Sequence, residues 1–389
     1  MNHITSNKFF LTLIGLIGLS LRLSAQVDVE GRFGPGTEKP IPVSIAGFTG
    51  EAADVIKFDL YVQGFCFTNE AAAQFQFSGN NNGNLAGRVI DRFNKSTLVN
   101  KSYTGATLRR QAHAFVDEFL AAINRKGIGD TKIAFKVDTG PNSEIYIADF
   151  DGHGAQSVTA SDNTIVAAPT WVPGKMVLYY TSYKLGNPDI FRHDLSSGQR
   201  TPVARYSGLN TSAAVSPDGS RVVMILSKSG SPDVFVCNAD GSGLKQLTAT
   251  REDESSPCWS PDGNWICFAG KKDERRSLWK VPAAGGAPQR ISTAGVSNPT
   301  EPDWSPDGKQ IVFTSMGRSF SICVVPAAGG KADVLVEGED PSWAPNSRTV
   351  VYARRGGGGR RVSLLDVPTK QTKDISRISG SNSQPSWAK

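Results

Sequence analysis

The residues able to do covalent or metal chemistry are few and scattered. The four histidines are His3, His113, His153 and His193, and no two have the spacing of a metal-binding pair such as His-Glu-x-x-His. No Gly-x-Ser-x-Gly turn offers a serine nucleophile, and a hydrolase half beyond the repeats is not expected. Asp149-Phe-Asp-Gly-His-Gly154 starts like a calcium loop, but its twelfth position is Ala160, where that site needs a bidentate Glu. Asn238-Ala-Asp-Gly repeats it in degraded form, which marks a hairpin turn. No Gly-rich loop opens a helix after a strand. These observations predict no catalytic residue, no metal and no cofactor. The five cysteines, Cys66, Cys237, Cys258, Cys267 and Cys323, lack CxxC spacing, and an odd count in an exported chain leaves at least one unpaired. Cys237 and Cys323 sit at matching places in apolar runs. A Cys258–Cys267 bridge across one hairpin stays open.

Polar residues do recur in a pattern that suits binding. Short segments rich in acids, amides and hydroxyls stand at Leu209–Ser212, Asp253–Ser256, Asn298–Glu301, Glu339–Asp340 and Ser381–Gln384, with no Lys or Arg in them. The candidate partner-binding residues are Asn210, Ser212, Asp253, Glu254, Ser255, Ser256, Asn298, Thr300, Glu301, Asp340 and Asn382. Acids on such loops suit a peptide or protein with basic groups; ordinary loop solvation is the competing explanation.

The element that must position these segments is a repeat. Trp171-Val-Pro-Gly, Val215-Ser-Pro-Asp-Gly, Trp259-Ser-Pro-Asp-Gly, Trp304-Ser-Pro-Asp-Gly, Trp343-Ala-Pro-Asn and Trp387 follow one another at 44, 44, 45, 39 and 44 residues. Such a period marks a blade-by-blade architecture. Each unit holds four short β-branched or aromatic runs separated by Gly/Pro/Asp turns, the pattern of antiparallel hairpins. Thr131–Val158 has only three runs, and the fourth, Pro385–Trp387, stands alone near the last residue. Shared closure of that unit gives six blades, because stacked four-stranded sheets hide each other's faces in a ring. The polar segments precede each anchor and should converge around the axis.

Residues 1–25 read as a secretory signal: Lys8, the apolar run Phe9–Leu21 and the small-residue end at Ala25. No cysteine follows that run to carry a lipid anchor. The chain's net charge of +6 falls to +4 without Lys8 and Arg22. The remaining bases are dispersed, and no nucleic-acid partner is expected. Arg354-Arg355-Gly-Gly-Gly-Gly-Arg360-Arg361 lies between two strand runs and reads as a hairpin tip. Residues 26–129 form a separate unit: a tail, an apolar strand at Ile41–Phe48, a helical candidate at Glu70–Phe75, a loop at Asn80–Leu85 and a strand at Gly87–Phe93. A helix at Thr107–Lys126 is the clearest element, with Leu108, Ala112, Phe115, Val116, Phe119, Leu120 and Ile123 on one face. The expected fold is mainly β: a small α/β domain, then a six-bladed β-propeller over residues 130–389.

This order resembles the TolB family of the Tol–Pal system. The resemblance rests on Ile41–Phe48 as first strand, on Leu108-Arg-Arg-Gln-Ala-His113 with Asp117 as the helix leading into the blades, and on the Trp-Ser-Pro-Asp-Gly repeat. It implies a periplasmic, monomeric scaffold rather than an enzyme. Pal would bind at the propeller mouth and TolA at the N-terminal segment, here Val27, Val29, Arg32 and Phe33. It implies a place at the outer membrane through Pal, and a part in membrane integrity and cell division. A secreted propeller enzyme, a lyase or a peptidase-associated subunit, is the alternative; the absence of His from the polar segments favours the scaffold.

Overall fold

The computed structural model describes residues 35–389 except 106, 161, 162 and 273. The signal and Val27, Val29, Arg32 and Phe33 lie outside the described residues.

Six four-stranded sheets follow one another along the chain. The second blade is built from Val166–Trp171, Val177–Ser182, Asp189–Asp194 and Arg200–Ala204, and the third from Asn210–Val215, Arg221–Leu226, Asp233–Asn238 and Lys245–Gln246. The fourth comprises Glu254–Trp259, Trp265–Lys272, Arg275–Pro282 and Gln289–Ile291. Pro299–Trp304, Gln310–Met316, Phe320–Pro326 and Asp333–Glu337 make the fifth; Glu339–Trp343, Thr349–Gly356, Gly359–Asp366 and Thr372–Asp374 make the sixth. The first blade joins Lys132–Thr139, Asn142–Asp149 and Gln156–Ser157 to Ser381–Trp387 from the far end of the chain. Ser381 lies opposite Asp138 and Trp387 opposite Ile133, so the ring closes as the sequence predicts.

The turns show why the repeat folds this way. Ser216 Oγ donates to Asp218 Oδ1 at 2.5 Å and accepts from Arg221 N–H at 2.9 Å. Gly219 takes a φ of +73°, which needs no Cβ accommodation. Hydrogen bonds from Ser216 and Ser220 hold the Asp218 carboxyl far below the usual carboxylate range. Between neighbouring blades lie six apolar clusters, one at each junction. The anchor indoles stitch the junctions: Trp259 Nε1 donates to Ala214 O at 3.0 Å and Trp171 Nε1 to Ser386 O at 3.2 Å, each on the adjacent blade.

The N-terminal domain holds β1 (Ile41–Ala46), α1 (Gly50–Tyr61), β2 (Phe65–Phe67), β3 (Phe75–Asn80), β4 (Leu85–Asp91), β5 (Ser96–Tyr103) and α2 (Leu108–Ala122). Its sheet runs β2-β1-β3-β4-β5, with β1 parallel to β2 and β3. Three readings of this region change. Glu70–Phe75 is not a helix: Glu70–Ala72 form a turn leading to β3. The first helix is α1, upstream, with Ala52, Ala53, Val55, Ile56 and Leu60 buried. The second ends at Ala122 rather than Lys126, because Asn124 turns left-handed at φ +57°. Helix α2 is capped by Thr107, whose side chain accepts from Arg110 N–H.

This domain rests on the face of the propeller formed by the turns between first and second strands and between third and fourth. Thr349 Oγ1 donates to Val62 O at 3.2 Å, Gln371 Nε2 to Phe65 O at 3.1 Å, and Arg348 joins Asp366 to Glu38. The opposite face, where the innermost strands begin, carries the polar segments.

Candidate functional site

Each blade's innermost strand contains a bulge. At each bulge one residue is left-handed: Ala168, Ser212, Ser256, Glu301, Asp340 and Gln384, with φ from 50° to 55°. Five of the six are followed by Pro, at Pro169, Pro257, Pro302, Pro341 and Pro385, two residues before the anchor Trp. The innermost strands touch in sequence round the axis. The six special residues therefore form a ring at one end of a channel of about 450 Å³. Non-glycine residues held at positive φ are uncommon and cluster where the surrounding structure uses them.

Half of this ring is braced and half is open. Glu301 Oε2 accepts from the backbone N–H of Asp340 at 2.9 Å and from Thr314 Oγ1 at 2.6 Å. Asp340 Oδ2 accepts from Gln384 N–H at 3.0 Å, and Gln384 Oε1 from Ala168 N–H at 2.9 Å. Each long side chain thus satisfies the next blade's bulge. Ala168, Ser212 and Ser256 carry short side chains, so the other side of the mouth is open. Burial, and then the charge of Glu301, push the Asp340 carboxyl up to about 8. Towards the other end, Lys389 Nζ pairs with Asp303 at 2.7 Å.

The sequence-derived candidates fall into three groups. Ser212, Ser256, Glu301 and Asp340 meet in the ring. Asn210, Glu254, Thr300 and Asn382 are buried. Asn210 Nδ2 donates to Pro188 O, Tyr206 O and Gly208 O, and Asn382 Nδ2 to Ser379 O and Gly380 O, so both clasp the loops that enter the innermost strands. Glu254 is 5 % exposed and faces away from the mouth. Its Oε2 accepts from Val234 N–H at 3.1 Å and from Thr248 Oγ1, and burial pushes it up to about 7. Glu254 and Glu301, both candidates on segments expected to converge round the axis, thus part: one braces a blade and the other lines the channel. Asp253 and Asn298 are exposed at the rim, and Ser255 accepts from Arg276 at 3.1 Å. Ala168 and Gln384 were missed; the repeated Pro-x-Trp was the signal that could have found them.

The other ionisable cluster is interdomain. His113 Nδ1 lies 2.6 Å from Asp59 Oδ2, and Arg109 pairs with Asp151 of the first blade, all four being buried. Burial opposes a charged His113, but the Asp59 carboxylate outweighs it and holds the imidazole above its usual range. Burial pushes nearby Asp117 up to about 6. These groups are enclosed by α1, α2 and the Asp149–His153 turn, so they join domains rather than meet a substrate. Among the described residues no group of three or more His, Cys, Asp or Glu could hold a metal ion. Nor is any helix among them long and apolar enough to cross a membrane.

The fold is thus a six-bladed propeller with a polar, half-braced channel mouth and an α/β domain on its opposite face. Residues 120–389 match the family described as the TolB beta propeller domain, and the chain belongs to that family. It is 29 % identical over 307 residues to the Tol-Pal system protein TolB of Bordetella pertussis, covering 77 % of this chain and 70 % of that protein. The TolB of Bordetella parapertussis matches equally, at 29 % over 307 residues. The crystal structure of TolB from Acinetobacter baumannii superposes with a TM-score of 0.80 at 21 % identity, covering 90 % of this chain and 97 % of that one. A chain of the nidogen/laminin complex also superposes, with a TM-score of 0.56 at 14 % identity over 67 % of this chain and 98 % of its own. The propeller by itself therefore does not carry the function.

Proposed function

We propose that this chain is the periplasmic scaffold of a Tol–Pal-type system. It binds a Pal-type lipoprotein at the propeller mouth and a TolA-type protein through Val27, Val29, Arg32 and Phe33, and it acts without catalysis in outer-membrane integrity and cell division. The match to Tol-Pal system proteins over 77 % of the chain carries this reading. The open half of the bulge ring supports the mouth as the docking point, since the left-handed backbone at Ser212 and Ser256 stands without the long side chains that brace the bulges at Ala168, Asp340 and Gln384.

Calorimetric titration of the exported chain with the Pal-type and TolA-type proteins of the same envelope tests it. Ser212→Asn with Ser256→Asn fills the open half, and Asn tolerates the left-handed backbone. Pal-type affinity should fall at least about tenfold, equivalent to ~1.4 kcal/mol, with melting unchanged. Removal of Gln26–Phe33 should abolish TolA-type binding alone. Equal Pal-type affinity in the double variant would place docking elsewhere.

A further inference from the structure

In each four-stranded antiparallel blade, the tip joining the second and third strands lies at the end where the innermost strand begins. These tips therefore surround the mouth, on the face away from the α/β domain. In three consecutive blades they are basic. The fourth carries Lys271, Lys272, Arg275 and Arg276, the fifth Arg318, and the sixth Arg354, Arg355, Arg360 and Arg361. Set against Asp273 and Glu274, these nine bases leave the three tips a net charge of +7, more than the +6 of the whole chain. The charge scattered in the sequence is thus gathered on one arc by the fold.

The register makes this gathering costly. Lys271 lies opposite Arg276, Lys272 opposite Arg275, Arg354 opposite Arg361 and Arg355 opposite Arg360. Like charges directly across a strand pair are destabilising. Partial relief exists within the fold: Glu339 accepts from Arg355 and Arg360, and Asp374 lies 3.6 Å from Arg354. Lys271, Lys272, Arg275, Arg318 and Arg361 are exposed. The adjoining loops add the exposed acids Asp253 and Glu337, while Glu301 and Asp340 are recessed in the channel. Met316, beside Arg318, is exposed, as are Tyr183 and Leu185 at the second-blade tip on the same face.

We propose that this arc docks on an anionic phospholipid surface, independently of any partner in the mouth. Three features favour a lipid surface over an acidic protein. The bases are spread along an arc rather than converging on a pocket, so a plane meets all three tips together. The sixth-blade tip turns through Gly357 and Gly358, both at positive φ, so no side chain at the turn keeps its arginines from a flat surface. Exposed Met316 stands beside Arg318, a pairing of apolar and basic groups that membrane interfaces accept.

Flotation of the purified chain with vesicles tests this. Vesicles of phosphatidylglycerol in phosphatidylcholine are compared with phosphatidylcholine alone, at low and high salt. Retention on anionic vesicles only, lost at high salt, is expected. Lys272→Glu, Arg275→Glu, Arg318→Glu and Arg361→Glu together should weaken binding at least about tenfold. Lys175→Glu with Lys309→Glu, exposed on the opposite face, should bind as the parent does. Failure of the parent chain to bind anionic vesicles, or equal binding by the arc variant, would overturn the proposal. So would capture of poly-glutamate without vesicle binding, which would assign the arc to an acidic polypeptide. Since no Pal-type protein is present, these outcomes are separate from those that test the mouth.

Discussion

Trp387→Ala probes whether the last strand closes the ring as a true blade element. Trp387 is 2 % exposed, its ring centroid lies 6.1 Å from that of Phe150, and its Nε1 donates to Thr131 Oγ1 at 2.9 Å. Trp→Ala in a packed site costs about 3–5 kcal/mol, from lost transfer energy and the cavity left behind. For a propeller of this size, roughly 2–4 °C of melting temperature is lost per kcal/mol, so a fall of about 6–20 °C is expected. Trp259→Ala, in an unbroken blade, is the internal standard. Scanning calorimetry on both, together with a chain ending at Gly380, decides the matter. The truncation removes the partner of Lys132–Thr139 and should be at least as damaging as Trp387→Ala. If Trp387→Ala shifts melting by less than about 1 °C while Trp259→Ala shifts it fully, the end is frayed and the closure argument fails.

Two neighbours in one loop should behave oppositely. Glu254→Ala takes the acceptor from the buried Thr248 hydroxyl and one of two acceptors from Val234 N–H, and should cost about 1–3 kcal/mol, whereas exposed Asp253→Ala should stay within about 0.5 kcal/mol; equal urea midpoints would refute the assignment. Asp340 gives a pH dependence. Its folded value of about 8 lies above the ordinary 3.8, so between the two the folded state binds more protons and stability falls as pH rises. Asp340→Asn, which keeps an acceptor for Gln384 N–H, should flatten the fall in melting temperature between about pH 5 and 9; parallel profiles would sink it. Arg109→Ala leaves Asp151 buried without its cation and should cost about 3–5 kcal/mol, read as lowered melting and faster proteolysis between the domains.

The period of the anchors, the turn chemistry of Pro-Asp-Gly and the unmatched three-run unit were enough to fix the blade count and the closure by Trp387. Those signals are local and repeat, so each copy supports the others. Helix α2 was legible from its apolar stripe, but α1 was not, because its buried face is completed by α2 and by the propeller rather than by its own pattern. The acidic segments were legible as loops entering the innermost strands. Which of their acids face the mouth was not: Glu254 stands five residues before its anchor Trp and Glu301 three, and only the second position falls at the bulge that lines the channel. That choice depends on backbone direction at the bulge and on the residue the next blade presents. Charge followed the same rule. Composition determined a modest net +6 spread along the chain, and only the hairpin register and the order of blades concentrated nine bases on one arc around the mouth.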